Sequence, residues 1–330
     1  MSIRTIVALA AGVLAAVPVL PAVAADTPAP WPSRPVRLLV PFAPGGGTDI
    51  VARILAPPLS EILGQQFVVD NRAGAAGNIA IEIAARSAPD GYTILVNNVS
   101  TGSINPTAFA ASFKFDPAKE LLPVVMIASI PNVMVCGANF PASTMKELVE
   151  YVRARPGQLN YSNPIGAYSH LDMLEFLAKN GLKMENVPSK GAGSSIASVI
   201  SGEIHCSGLN AATVIPQIKA GRMKALVTTA KTRLPELPDV PTMAEAGYPG
   251  MGSVNWNGLF VQARTPRAIV DRLNAAVLQA LARPNIVEAY NKAGVPLTPS
   301  RTPEEFKAFV DSEIARWARI LKENNIKLQP

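Results

Sequence analysis

Three times this chain runs from an apolar stretch, through a handful of small residues, into the start of a helix. Val36 to Phe42 reads as a buried strand. Ala43-Pro-Gly-Gly-Gly-Thr-Asp49 follows as a loop. Asp49 to Leu63 then carries apolar residues at 50, 51, 54, 55, 59, 62 and 63, which is helical spacing. Pro57-Pro58 is expected to kink or split that helix, because proline removes a backbone donor. Phe67 to Asn71, the loop Arg72-Ala-Gly-Ala-Ala-Gly77 and a helix from Asn78 to Ser87 repeat the pattern before a strand at Tyr92 to Asn97. The third instance joins a strand at Leu159 to Ser162, through Asn163-Pro-Ile-Gly-Ala-Tyr-Ser169, to a helix ending at Asn180-Gly181. Strands separated by helices pair in parallel, and the helices cover the sheet faces. The alternation therefore predicts an α/β fold.

At 330 residues the chain exceeds what one core usually holds, so two domains are expected. With 48% hydrophobic and 16% charged residues, disorder is excluded. Val124 to Ile130 and Val133 to Cys136 read as two strands separated by Pro131-Asn132. Further strands are expected at Ile204 to Ser207, Ala225 to Thr229 and Trp256 to Val261. Helices are expected at Met145 to Ala154 and Ser194 to Ile200, and through most of the chain beyond Pro266.

The first residues read as a targeting segment. Arg4 supplies the positive charge, Thr5 to Val19 is uncharged and apolar, and Ala22-Val23-Ala24 is a small-x-small processing site. Cleavage near Ala24-Ala25 would leave a periplasmic protein. Its net charge would be about +5, since Arg4 is lost from the +6 total. The remaining Lys and Arg are scattered, so no nucleic-acid partner is expected. Cys136 and Cys206 sit in apolar strand-like runs. They are read first as buried small side chains, with a bridge as the alternative that export permits. His170 and His205 are the only histidines and lack ligand spacing, so neither a metal nor a cofactor is expected.

Catalytic signatures are missing. No Gly-x-Ser-x-Gly occurs, and Ser169-His170 are sequence neighbours whose side chains diverge on a helix. Gly45-Gly46-Gly47 opens a helix as a dinucleotide loop would, but Ile50 stands where the third glycine belongs. What the three loops do offer is free N–H groups at helix starts, which suits a carboxylate.

The mature chain resembles the periplasmic receptors of tripartite tricarboxylate transporters, the Bug family. Trp31-Pro-Ser-Arg-Pro-Val-Arg37, Val40-Pro-Phe-Ala-Pro-Gly-Gly-Gly-Thr-Asp-Ile50, Asn71-Arg-Ala-Gly-Ala-Ala-Gly-Asn78 and Ala88-Pro-Asp-Gly-Tyr-Thr93 look like the family's ordered blocks. So do Ile104-Asn-Pro106, Ile218-Lys-Ala-Gly221 and Leu237-Pro-Asp-Val-Pro-Thr242. The resemblance implies a two-lobed periplasmic binding protein fold of type II character, with the ligand in the cleft between the lobes. One lobe would hold residues 26–130 and 254–330, the other 131–253, after a signal peptide at 1–25. It implies a monomeric, non-enzymatic receptor that hands a small carboxylate to membrane permease subunits. An exported hydrolase using Ser169, or a sensor's binding module, are the alternatives.

Carried over position by position, the resemblance implies ligand contacts from Phe42, Ala43, Gly46, Gly47, Thr48 and Asp49 in the first lobe. From the second it implies Ser162, Asn163, Tyr168, Ser169 and His170. Ser100 and Thr101 after the third strand, Leu209 and Asn210, and Trp256 near the crossover complete the expected site. Gly208-Leu-Asn210 departs from the family's frequent Phe-Asp-Asn, and His205 replaces a frequent Asp. A ligand ammonium in a closed cleft needs a carboxylate partner. An amine-free ligand is therefore expected: a di- or tricarboxylate, or an aromatic carboxylate resting on Leu209, Tyr168 or Phe42. Asp49 would undercut this if it faced the cleft.

Overall fold

The computed structural model describes residues 31–165, 167–189, 191–323, 326 and 328, so the expected leader at 1–25 lies outside the described residues. The chain opens with β1 (Val36–Val40), α1 (Gly47–Leu63), β2 (Phe67–Asn71), α2 (Asn78–Ala85) and β3 (Thr93–Asn98). A π-helical turn at Ser100–Ile104 and two single turns, α3 (Asn105–Ala108) and α4 (Pro117–Glu120), lead into β4 (Leu121–Gly137). There follow α5 (Met145–Arg153), β5 (Asn160–Tyr161), α6 (Tyr168–Asn180), β6 (Glu185–Asn186), α7 (Ala192–Ser201), β7 (Cys206–Asn210), α8 (Ala211–Lys219) and β8 (Met223–Thr228). The chain closes with β9 (Val254–Gln262), α9 (Arg267–Leu281), α10 (Pro284–Lys292) and α11 (Pro303–Glu323).

The strands run β2-β1-β3-β9-β4-β7-β5-β6, with β8 also on β4. β1 lies parallel between β2 and β3, as the strand–loop–helix alternation requires. β9 is antiparallel to both β3 and β4. β4 changes partners along its length. Leu121 to Pro131 pair with β9, whereas Asn132 to Gly137 pair with β7 and β8. The chain returns to β9 directly after Ser253.

Each half of the sheet is covered on both faces. On the first half, α1 and α9 bury Leu55, Leu59, Leu273 and Val277 against one face. On the other, α2 and α11 bury Ile81, Phe306 and Trp317. On the second half, α5 and α6 pack one face through Val152, Met173 and Phe176, while α7 and α8 pack the other through Val199 and Val214.

Three expectations need correction. Pro57 and Pro58 neither split nor end α1. The helix stays continuous because its buried stripe, including Leu55, Pro58, Leu59 and Leu63, is held by tertiary packing, which outweighs the lost donors. The two strands expected around Pro131 are one 17-residue strand. Pro131 sits where β9 ends its pairing and β7 and β8 begin theirs, a place where a missing N–H costs little. Cys136 and Cys206 face each other in the β4–β7 register and form a disulfide, not two buried thiols.

Candidate ligand cleft

The loop after β1 is folded back onto the first turn of α1. Gly45, at φ +87°, adopts a conformation that side chains rarely tolerate. Its N–H donates to Asp49 Oδ2 at 2.8 Å. The same carboxylate accepts from Arg53 Nε at 2.9 Å and, through Oδ1, from Asn71 Nδ2 at 2.9 Å. Asn71 Nδ2 also reaches the Phe42 carbonyl, and Arg53 Nη2 donates to Asn71 Oδ1. Burial alone would raise the Asp49 carboxyl. The bonds from Arg53, Gly45 and Asn71 outweigh it and hold the group below the usual carboxylate range. Asp49 is only 2% exposed, and both of its carboxylate oxygens are engaged in fixing the loop.

Gly46 caps α1 with no side chain, so the first amides of the helix have no side-chain acceptor of their own at the cap. Thr48 Oγ1 accepts from Asn98 Nδ2 at 3.2 Å. Asn98 in turn takes the N–H groups of Ser100 and Thr101, and the Thr101 hydroxyl, on its Oδ1. One asparagine therefore joins the α1 start to the π-helical turn after β3. π-Turns recur at functional sites.

The facing side comes from α6. The Tyr168 N–H donates to Ser100 Oγ at 3.1 Å, so the start of α6 touches the turn after β3 directly. The Tyr168 hydroxyl lies 2.6 Å from both Asn132 Oδ1 and Asn210 Oδ1. One proton cannot serve two carbonyl oxygens, so one of these amides presents its nitrogen to the hydroxyl. Asn210 also meets the opposite loop: a Cβ built on Gly47 would stand 2.7 Å from Asn210 Nδ2 and 3.1 Å from Ile130 Cδ1. Gly47, Thr48, Ser100, Thr101, Tyr168 and Asn210 thus form one meshwork, with Phe42, Ala43 and Gly46 on the loop beside it.

Other expected residues are placed elsewhere. Leu209 belongs to the core cluster with Val133, Val135 and Val214 and is 5% exposed, so its side chain packs inward. Strand alternation explains this: Leu209 and Asn210 point to opposite faces. Trp256 is fully buried, stacked on Phe260 and edge-on to Phe306 and Phe309. Asn163 spends its side chain on Ser169 O and Ser207 Oγ and orders its own loop. Ser162 Oγ lies 3.4 Å from Ser195 Oγ. Ser169 and His170 are both nearly buried, and burial pulls the His170 pKa down. Among the described residues, no group of three or more His, Cys, Asp or Glu is placed to hold a metal.

Sequence reading missed Asn98 and Asn132. Asn98 was hidden as the last residue of a strand. Asn132 looked like half of a Pro-Asn turn. Their partners lie 50 and 36 residues away in the chain, a distance no local pattern reports.

The chain is similar to known proteins along nearly its whole length. Residues 51–326 match the model for the tripartite tricarboxylate transporter family receptor. BugT of Bordetella pertussis (strain Tohama I) is 34% identical over 309 residues, covering 93% of either chain. Rpa4515 of Rhodopseudomonas palustris, solved with adipate, aligns with a TM-score of 0.83 at 33% identity, over 91% of this chain and 99% of that one. MatC of the same organism, solved with bound malate, aligns at 0.82 and 31% identity, over 88% and 100%. The fold is the two-lobed α/β fold of periplasmic binding proteins.

Proposed function

The chain belongs to the tripartite tricarboxylate transporter receptor family, and from that premise we propose that it captures an amine-free organic carboxylate in the periplasm and delivers it to permease subunits. Family members are solute-binding receptors, and among the described residues no helix is long and apolar enough to cross a membrane. In this reading the leader at 1–25 is removed and the receptor is a monomer. Residues 26–130 with 254–330 form one lobe and 131–253 the other. The change of partners along β4 and the return at Ser253 support those boundaries.

The observation that carries the ligand class is the state of Asp49. It is the carboxylate on the cleft loop, and its oxygens are taken by Gly45, Arg53 and Asn71. The rest of the meshwork offers amides and hydroxyls, which suit an anion, and the nearby Asp172 carboxylate is taken by both donors of Ser253. The adipate of Rpa4515 and the malate of MatC are both amine-free. Phe42, half-buried on the loop after β1, remains as a surface for an aromatic ligand, whereas Tyr168 is as buried as Leu209.

A thermal-shift screen tests this. Citrate, succinate, adipate, terephthalate, benzoate, nicotinate, aspartate and glutamate are compared side by side. At a hundredfold excess over the dissociation constant, a true ligand stabilises by about 2.7 kcal/mol, a shift that melting reads easily. At least one of the amine-free acids is expected to shift the melt. Shifts with aspartate or glutamate alone would overturn the ligand class.

A further inference from the structure

Asp172 lies one turn along α6 from Tyr168, on the same side of the helix. Its carboxylate accepts from both donors of Ser253, the N–H at 2.8 Å and the hydroxyl at 2.7 Å. Ser253 is the residue at which the chain returns from the second half of the sheet to β9. Arg316 Nη2 of α11 donates to the same Ser253 hydroxyl oxygen at 3.2 Å.

The other crossing is tied in as well. Thr229 Oγ1 accepts the N–H of Asn132, where β4 changes partners, and donates to the carbonyl of Ser253 at 2.8 Å. Asn132 in turn meets the Tyr168 hydroxyl. The bonds close a ring: Tyr168, Asn132, Thr229, Ser253, Asp172 and back along α6 to Tyr168. Tyr168 also holds Ser100 across the cleft. One helix therefore joins the cleft meshwork to both chain crossings.

We propose that Asp172 is a positioning residue for ligand capture: without touching the ligand, it ties α6 to the second crossing and so sets how readily the cleft closes. The proposal rests on the receptor reading above.

Closure is then linked to a proton. Burial raises the Asp172 carboxyl to about 6, against the pull of the Ser253 bonds and the Arg316 charge. The charged or titratable groups that face it are Arg316 of α11, itself beside Glu313, and Glu175 and Tyr168 of α6. Asp172 also borders a cavity of about 40 Å³, to which β4, β8 with the Thr229 that follows it, and the 243–252 segment contribute Asn132, Met134, Val227, Thr229 and Met251, none of them charged. The sign follows from the raised value. Asp172 is only partly buried here; in this proposal opening exposes it further and moves its pKa toward the free range, so the closed form holds the proton more tightly. Closure and affinity strengthen as pH falls through 6 and weaken as it rises.

The test compares wild type with Asp172→Asn and Asp172→Ala, using adipate calorimetry and small-angle scattering of the ligand-free protein. Wild-type affinity for adipate is expected to tighten about tenfold between about pH 7.5 and about pH 5. Asparagine keeps one acceptor and one donor toward Ser253 with no charge, so Asp172→Asn should hold the low-pH affinity at both pH values. Asp172→Ala loses both bonds and should bind about tenfold more weakly throughout. Without ligand, wild type and Asp172→Asn should be more compact than Asp172→Ala at the lower pH. Equal affinities in all three proteins with a flat pH profile would overturn the proposal. If adipate gives no heat with any of them, the ligand reading fails for adipate, and scattering decides the proposal alone: identical radii of gyration for the three proteins sink it.

Discussion

Gly47 has its reason in a side chain about 160 residues further on. It sits in the first turn of α1 with Asn210 Nδ2 and Ile130 Cδ1 pressed against the space its Cβ would fill. Gly46 differs: its φ of −81° suits any residue, and only the Ala43 carbonyl, at 3.9 Å, comes near. The two glycines therefore separate two effects. Gly47→Ala is expected to fold but to hold the loop away from Asn210, weakening ligand affinity at least tenfold, about 1.4 kcal/mol. Gly46→Val should leave the melting point nearly unchanged and weaken binding only through space the ligand needs. Calorimetry with the strongest acid from the screen, alongside melting curves, checks both. Normal affinity in Gly47→Ala would show that the Gly47–Asn210 contact is not used in the bound form. The sequence singles out the glycine loop but not which of its glycines is hemmed in. That depends on Asn210, which only the fold brings there.

Cys136 and Cys206 stitch β4 to β7 across a separation of 70 residues. Ser207, next to Cys206, bonds the Ser162 carbonyl and Asn163 Oδ1, so the bridge anchors the strand that orders the loop before α6. By the chain-entropy relation, closing a loop of that length stabilises by about 4 kcal/mol. The Cys136→Ala, Cys206→Ala double variant should therefore unfold at a much lower urea concentration than wild type, and reductant should move wild type the same way. Coincident unfolding curves would refute this. Elements with a clear period are legible in the sequence: β2 from Phe67 to Asn71, and α6 to its end at Asn180-Gly181. Prolines misled at both places where they were treated as breakers. Local chemistry prices a missing N–H, but packing of α1 and the exchange of partners at Pro131 decide whether the loss matters. The bridge is an open alternative in the sequence, and only strand register, a tertiary fact, decides for it.

Thr229 is a small residue with influence over the whole molecule, since its hydroxyl is shared between the two chain crossings. Thr229→Val keeps the shape but orphans the Asn132 N–H and the Ser253 carbonyl. Urea unfolding should show a loss of about 1–3 kcal/mol, the cost of leaving such groups unpaired. An unchanged midpoint would mean that water replaces the hydroxyl at no cost. None of this ring could be read in the sequence. Asn132, Asp172, Thr229 and Ser253 are each unremarkable locally, and the two links through Ser253 span 24 and 81 residues. β4 carries a further consequence, for how chains of this kind can diverge. It passes from one half of the sheet to the other in continuous register from Ala128 to Cys136 against β9 and then β7, so around Pro131 the side-chain alternation of both halves is counted along one thread. A single residue gained or lost beside Pro131 would turn Met134 and Cys136 into the layer of Val133 and Val135, exchanging two cores and parting Cys136 from Cys206. Length variation is therefore costly beside Pro131, and β4 takes its register shifts away from that point, at Pro123/Val125 and Met126/Ala128 against β9 and at Met134/Val135 against β8.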